Sequence, residues 1–291
     1  MRKRIKLIAN PVSGGDARLR IETARRCLEQ AGAEVALYLT GKRGDAGEVA
    51  ARLQPADFDL VVAAGGDGTL NEVANGLVGR GIPLAFLPLG TANVMALEMD
   101  IPFAIEAACA IALHGVAKPV NLGRIADHYF LMMAGIGFDA ATVRAVSSRL
   151  KRHTGKFAYL IAALRTLITR PTGALQLTTA EGETLIAYHA IVSNIRLYGG
   201  RFVMAPGSGL DTGQLTACLV ERSGRLPLLL FWLRILLRGR LLGPVKRIDS
   251  TGFQCSGATV PVQIDGDDFG DIPVTITCLS GQLELIFPDP D

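Results

Sequence analysis

The sequence predicts an α/β-plus-β chain: a doubly wound parallel α/β domain followed by an antiparallel β-sandwich domain. Three observations carry this. Apolar runs and helical periodicities alternate up to about Val120. Beyond it, short strand-like runs recur between Gly, Asp and Pro turns. The 291 residues, 49% hydrophobic and 20% charged, suffice for two cored domains. The boundary is expected near Pro119–Leu122, giving domains over 1–121 and 122–291, with the last residues available to pack back on the first domain.

The elements follow in order. "IKLIAN" reads as a strand. "DARLRIETARRCLEQAG" sets Ile21, Ala24, Leu28 and Ala31 on one helical face and stops at Gly32. "EVALYLT" is a strand, and "DAGEVAARL" opens a helix with Asp45 and Glu48 at capping-box spacing. "FDLVVAAGG" is a near-continuous apolar strand, as a sheet covered on both faces requires. A helix from Leu70, the strand "IPLAFLPLG" and helices near Ala92–Met99 and Pro102–Leu113 complete the first domain. "VNLGRIADHYFLMMAGIGFDA" then reads as a hairpin and Ala141–Arg170 as a basic helical stretch. The remaining strands are "ALQLTTA", "TLIAYHAIVSN", "QLTACLVE", "RIDSTGFQCS", "VPVQIDGD", "VTITCLS" and "QLELIF".

Several function classes drop out. A net charge of +3 is too small to argue for nucleic acid. "MRKRIKLIANPVSGG" has too short an apolar run for a signal peptide. Arg234, Arg238 and Arg240 interrupt the apolar run 226–242, which falls short of the ~20 residues a bilayer span needs. The five cysteines, Cys27, Cys109, Cys218, Cys255 and Cys278, are scattered and never in CxxC spacing, so reduced thiols in a reducing cytoplasm are expected. His114, His128, His153 and His189 lack metal-ligand spacing and read as structural. "GSG" at 207–209 lacks the context of a nucleophile elbow.

The stretch "VVAAGGDGTLNEVANGL" (61–77) carries the chemistry. In a parallel sheet, ligands sit at the carboxyl ends of strands, where Gly65–Thr69 falls. Glycines let bare backbone approach a ligand, and amides at a helix N-terminus attract anions. Thr69 and Glu72 have capping-box spacing, and Leu70, Val73, Ala74 and Leu77 form an apolar stripe. A tight turn before a capped helix explains most of this. Asp67 goes further, because a carboxylate beside an anion cradle calls for a metal or a transferred proton. A nucleotide bound with Mg²⁺ fits, and the spacing is neither a P-loop nor G-x-G-x-x-G.

"GGDGTLNEVANGL" resembles the signature of the diacylglycerol kinase catalytic family, which includes bacterial lipid kinases and sphingosine kinases. "NPVSGG" (10–15), "PLGTAN" (88–93), "GIGFDA" (135–140), "NIRLYGGRFVMAP" (194–206), "LDTGQL" (210–215) and "IDGD" (264–267) follow in family order over nearly the whole chain. The resemblance implies an α/β nucleotide domain of the NAD kinase/diacylglycerol kinase type joined to a β-rich lipid-substrate domain, with ATP in the cleft. It also implies phosphoryl transfer from ATP to a lipid hydroxyl. Nucleotide contacts would be Asn10, Thr40, Gly65, Gly66, Asp67, Gly68, Thr69, Leu70, Asn71 and Thr91.

The resemblance also assigns the acidic residues. Asp265 matches the proposed catalytic base, with Asp67 as a competitor for that role. Asp267 stands where the family usually has glutamate. Asp211, with the carbonyls of Ser208 and Gly213, matches a structural Mg²⁺ site. Val94 replaces the aspartate that many diacylglycerol kinases carry after the second loop, while sphingosine kinases also have an apolar residue there.

"RLPLLLFWLRILLRGRLLGPVKR" is apolar with interspersed arginines and holds Trp232, the chain's single tryptophan. Such a helix can lie on an anionic bilayer surface; "SSRLKRHTGKFAYLIAALRTLITR" (147–170) has similar character. The expected partners are a lipid substrate and an anionic membrane, with no nucleic acid and a homodimer left open. The expected place is the cytoplasm, peripheral at the inner membrane face. The leading expectation is an ATP- and Mg²⁺-dependent lipid kinase. An NAD kinase-like enzyme and a non-catalytic lipid- or nucleotide-binding regulator are the alternatives.

Overall fold

A computed structural model describes residues 2–145, 165–167, 173–241 and 245–289. The chain divides into two compact units. The first holds the residues up to Leu122, Gly199–Arg201 and the residues from Leu279; the second holds Gly123–Tyr198 and Phe202–Cys278.

In the first unit, β1 (Arg4–Ala9), β2 (Glu34–Leu39), β3 (Leu60–Gly65) and β4 (Leu84–Pro88) form a parallel sheet in the order β2-β1-β3-β4. Every position of β3 is buried, which its unbroken apolar sequence allows. The helices are α1 (Ala17–Gln30), α2 (Asp45–Ala50), α3 (Asp67–Leu77), α4 (Val94–Glu98) and α5 (Ile105–His114). α1 buries Ala17, Ile21, Ala24 and Leu28, a stripe at helical spacing.

Two helix starts differ from the sequence expectation. α3 begins at Asp67 rather than Leu70, with Gly66 at the N-cap. Thr69 is therefore a buried residue of the first turn, and the Glu72 side chain instead accepts a bond from the Gly44 amide at 3.0 Å. α2 is capped by Gly44, while the Asp45 carboxylate accepts from the amides of Gly41 (2.7 Å) and Lys42 (2.9 Å). In both cases a glycine takes the cap position and the acidic side chain serves a neighbouring loop.

β5 (Val116–Ile125) carries the chain into the second unit and forms a hairpin with β6 (His128–Phe130). The strands that follow are β7 (Met133–Ile136), β8 (Leu175–Thr179), β9 (Thr184–Ala187), β10 (His189–Ser193), β11 (Leu197–Tyr198), β12 (Phe202–Val203), β13 (Leu215–Val220), β14 (Lys246–Ser250), β15 (Gly252–Gly257), β16 (Pro261–Ile264), β17 (Asp267–Asp271) and β18 (Val274–Phe287). One antiparallel sheet runs β14-β13-β10-β7-β16-β17, and the start of β18 extends the other through β15 and β8 to β9. Phe130, Ile136, Leu177, Val192, Leu219, Phe253, Val262 and Ile276 belong to the shared core, as in a sandwich. The fold class is the one the sequence predicts.

The strand expected over "TLIAYHAIVSN" is two strands. Ala187 pairs with Leu175, His189 pairs with Val220, and Tyr188 lies at the switch from one sheet to the other. "VTITCLS" and "QLELIF" instead form the single strand β18, whose second half returns to the first unit. There Leu285 pairs with Leu84, and the Gly79 amide donates to Gln282 at 2.8 Å.

Two helices complete the second unit. α6 (Phe138–Ala145) covers the start of the expected basic helical stretch; apart from 165–167, the rest lies outside the described residues. α7 (Arg225–Arg238) buries Leu228, Phe231 and Ile235 and leaves Leu226, Leu229, Leu230, Leu233, Leu236 and Leu237 exposed. Among the described residues no helix is long and apolar enough to cross a membrane. All five cysteines are free, and burial pushes the thiols of Cys109, Cys218 and Cys255 up to about 12.

Phe130 is fully buried in the second core, and a β-carbon on Gly123 would lie 1.9 Å from its ring. Phe130→Ala should therefore cost ~3–5 kcal/mol, measured as a lower urea midpoint at unchanged slope.

Candidate active site

The first unit brings three loops together at the carboxyl ends of β1, β3 and β4. Asn10 follows β1. Its amide donates to the Ala64 carbonyl (2.9 Å), its Oδ1 accepts from the Val12 amide (3.1 Å), and its Nδ2 reaches the Thr69 hydroxyl (3.5 Å). Thr40 follows β2, and its amide donates to the Ala9 carbonyl at 2.9 Å. The Gly65 carbonyl accepts from the amides of Leu89 (2.7 Å) and Gly90 (3.1 Å), which fastens the β3 loop to the β4 loop.

The contact is backbone on backbone. A β-carbon on Gly90 would lie 2.6 Å from the Gly66 α-carbon, and one on Gly65 would lie 2.4 Å from the Thr69 hydroxyl. No residue larger than glycine fits either place without moving a main chain or a packed side chain. The Arg20 guanidinium, on α1, ties this corner down by donating to the Pro88 carbonyl at 3.0 Å.

Asp67 opens α3, and its Oδ1 accepts from the Met95 amide of α4 at 3.0 Å. α4 has no side-chain cap of its own; its N-cap Asn93 lies in the left-handed region (φ 46°) and donates through Nδ2 to the Gly90 carbonyl at 2.8 Å. Asp67 thus supplies the cap from a neighbouring helix. Lost solvation pushes its pKa up, and amides of Met95, Val94 and Asn93 pull against that. The half-buried carboxylate is poised to take up a proton or a cation.

Asn10, Thr40, Gly65, Gly66, Asp67, Gly68, Thr69 and Thr91 therefore share one end of one sheet. Gly68 and Thr91 are exposed there, and Asn71 is half-buried one turn into α3. The Leu70 side chain is fully buried and its amide donates to the Gly66 carbonyl, so it supports the helix rather than facing a ligand. Val94 is buried and packs the first turn of α4.

In the second unit, Asp265 and Gly266 form the two-residue turn between β16 and β17, with φ of 48° and 87°. The Asp265 carboxylate is held by three main-chain donors, the amides of Leu131 (2.9 Å), Met132 (3.1 Å) and Met133 (2.8 Å). Asp267 is exposed at the start of β17. Beneath the turn lie groups that sequence reasoning missed. Asp139, in α6, accepts from the Tyr198 hydroxyl and from Gln263 Nε2 (2.8 Å), and Gln263 Oε1 accepts from the Gly266 amide (2.7 Å). Asp139 with Gly135, and Tyr198, fall inside "GIGFDA" and "NIRLYGGRFVMAP", which are the sequence signals of this packing.

Asp211 lies exposed in the loop before β13, and Gly213 of that loop has a φ of 73°. The Ser208 hydroxyl donates to Thr216 at 2.7 Å. A carboxylate plus carbonyls is an all-oxygen donor set suited to a hard ion such as Mg²⁺. No cluster of three His, Cys, Asp or Glu residues able to hold a metal occurs among the described residues.

Trp232 is turned inward, against Tyr198 (5.2 Å between ring centres), Phe231 (5.4 Å), His189 (5.7 Å) and Phe138 (6.1 Å). His189 is fully buried, and burial pulls its pKa down to about 4, so it is a neutral packing group as the sequence suggests.

Two family models match the chain: the diacylglycerol kinase catalytic domain over residues 4–125, and the YegS C-terminal NAD kinase beta sandwich-like domain over residues 133–287. The chain is 29% identical to a Staphylococcus aureus protein named diacylglycerol kinase, over 99% of this chain and 94% of that one. It shares its fold with a crystal structure of a diacylglycerol kinase from Bacillus anthracis (24% identity, TM-score 0.81, covering 99% and 98%). It is also similar in fold to an NAD kinase from Archaeoglobus fulgidus in complex with ATP (14% identity, TM-score 0.52, covering 99% and 94%).

The raised pKa of Asp67 has a sign that can be measured. Ionising this group costs folding free energy, a cost absent below its unfolded pKa near ~3.9 and fully present above its folded one. Asp67→Asn should therefore raise the thermal midpoint at neutral pH, with the gain vanishing toward about pH 3.

Proposed function

The chain belongs to the diacylglycerol kinase family, carrying both its catalytic domain and its C-terminal sandwich domain, and on that premise we propose that it is an ATP-dependent lipid kinase. It transfers the γ-phosphate to a hydroxyl of a lipid such as diacylglycerol or a sphingoid base. The observation that carries the reading is the interlocked backbone at Gly65, Gly66 and Gly90, with Asp67 at its edge. Closely packed glycine loops and helix starts offer amides to a polyphosphate.

Asn10, Thr40, Gly65, Gly66, Asp67, Gly68, Thr69, Asn71 and Thr91 hold the nucleotide, with Leu70 contributing through the backbone that it anchors. Asp67 would hold the catalytic Mg²⁺, and Asp211 with the carbonyls of Ser208 and Gly213 a structural one; bound Mg²⁺ neutralises phosphate charge. The lipid oxygen forms a bond to the γ-phosphorus as the bond to the β–γ bridging oxygen breaks, and ADP leaves. Asp265 orients the hydroxyl and accepts its proton. Bonds from three amides fix where Asp265 presents its carboxylate, and in a loose transition state positioning of this kind matters more than base strength. Asp267 adds a second negative charge at the same turn.

The lipid is met at an anionic membrane surface in the cytoplasm. α7 presents six exposed leucines, with Arg238 and Arg240 exposed at its end. Apolar side chains beside cations suit the boundary of an anionic bilayer.

Two measurements test this. Incubation with γ-labelled ATP and a mixed lipid extract should move label into the organic phase; label on NAD, or nucleotide binding without transfer, would refute it. Leu236→Asp with Leu237→Asp should cut pelleting with anionic vesicles at least ~10-fold while leaving transfer to detergent-dispersed lipid intact. Unchanged pelleting would rule out α7 as the contact.

A further inference from the structure

Asp139 is fully inside the second unit, where its carboxylate loses the hydration it would have at the surface. A buried carboxylate is costly unless its oxygens are occupied. Both are: Tyr198 donates to one and Gln263 to the other. As a carboxylate Asp139 accepts at both oxygens, and in that form the Gln263 amide points its nitrogen inward. Its oxygen is then forced toward the Gly266 amide. The direction of each bond fixes the next, and the last bond sits on the turn that carries Asp265.

The local backbone is shaped for this path. Gln263 and Gly135 are cross-strand partners in β16 and β7. A β-carbon on Gly135 would lie 2.3 Å from Asp139 Oδ2 and 2.7 Å from Gln263 Nε2. The bond between the two side chains therefore passes over a position that only glycine can occupy. The turn has positive φ at both Asp265 and Gly266, which an Asp-Gly pair adopts readily, and the Gln263 bond tethers its Gly266 side.

We propose that Asp139 and Gln263 form a directional hydrogen-bond relay that sets the Asp265–Gly266 turn, and that they act as positioning residues for the phosphoryl-acceptor step. The proposal rests on reading Asp265 as the acceptor-side carboxylate.

Reversing the relay tests it. Asp139→Asn, with its NH₂ toward Gln263, forces that amide to flip and set its own NH₂ against the Gly266 N–H; because the Tyr198 hydroxyl can instead turn to accept the new NH₂, Gln263→Met is read beside it in every case. Adding Gln263→Glu moves the negative charge along the chain and restores acceptors facing both the new amide donor at position 139 and the Gly266 N–H. Three quantities are read in each variant: kcat and KM with labelled ATP and diacylglycerol in mixed anionic vesicles, the thermal midpoint, and hydrogen exchange at the Gly266 amide. Asp139→Asn should lower kcat ~10- to 100-fold with KM for ATP little changed, and speed Gly266 exchange. The double variant should recover both to within ~3-fold.

If Asp139→Asn does not fold, Gln263→Met, which keeps the volume and removes both bonds, should show the same losses while retaining the fold. Gly266 exchange that ignores these changes overturns the relay. Exchange that is lost and regained while kcat stays level overturns the positioning role and, with it, the part given to Asp265. If wild-type protein transfers no label to diacylglycerol, the kinase reading fails for that lipid, and Gly266 exchange alone still decides whether the relay exists.

Discussion

The bond from the Met95 amide to the Asp67 carboxylate joins two loops that have nothing but main chain between them. Gly65 and Gly66 end one strand, Gly90 follows the next, and both stretches must lie nearly in contact for that bond to form. The dependence runs both ways. The glycines let Asp67 reach across to α4, and Asp67 supplies a cap that Asn93 does not provide. A ligand placed here meets backbone that has already lost its freedom, so ordering costs little on binding.

Three carboxylates show how the surroundings divide the work of one side-chain type. Asp67 stands half out of water at a helix start, where burial favours the proton and amides favour the charge. Asp265 is gripped by consecutive main-chain donors, which fix its position. Asp139 is enclosed, and its environment also favours the proton, with Tyr198 and Gln263 opposing. On the proposed reading the first two serve the reacting groups, while the third is bonded into the turn that carries Asp265.

Much of this is legible in the sequence. The buried run of β3 and the alternation of elements announce the parallel sheet, and the short runs between Gly, Asp and Pro turns announce the sandwich. The spacing T-x-x-E points to a cap at Thr69 that the structure does not use, because spacing does not say which donor takes a hydroxyl. Here the Asn10 amide group reaches it, and the glycine pair lets the helix start three residues earlier. Trp232 lies in a run that reads as a surface helix, yet it joins an aromatic cluster assembled from distant positions. The Asp139–Gln263 pair is invisible for the same reason, since 124 residues separate its members.

β18 belongs to both units, its early residues pairing with β15 and its later ones lying beside β4. A gene fragment ending at Leu122 would lack the segment from Leu279 and leave β4 with an unsatisfied apolar edge. Such an edge recruits other chains into aggregates. Neither half can be obtained by a single cut in the coding sequence, and an autonomous first unit would have to be built by grafting the carboxyl-terminal strand onto the amino-terminal fragment.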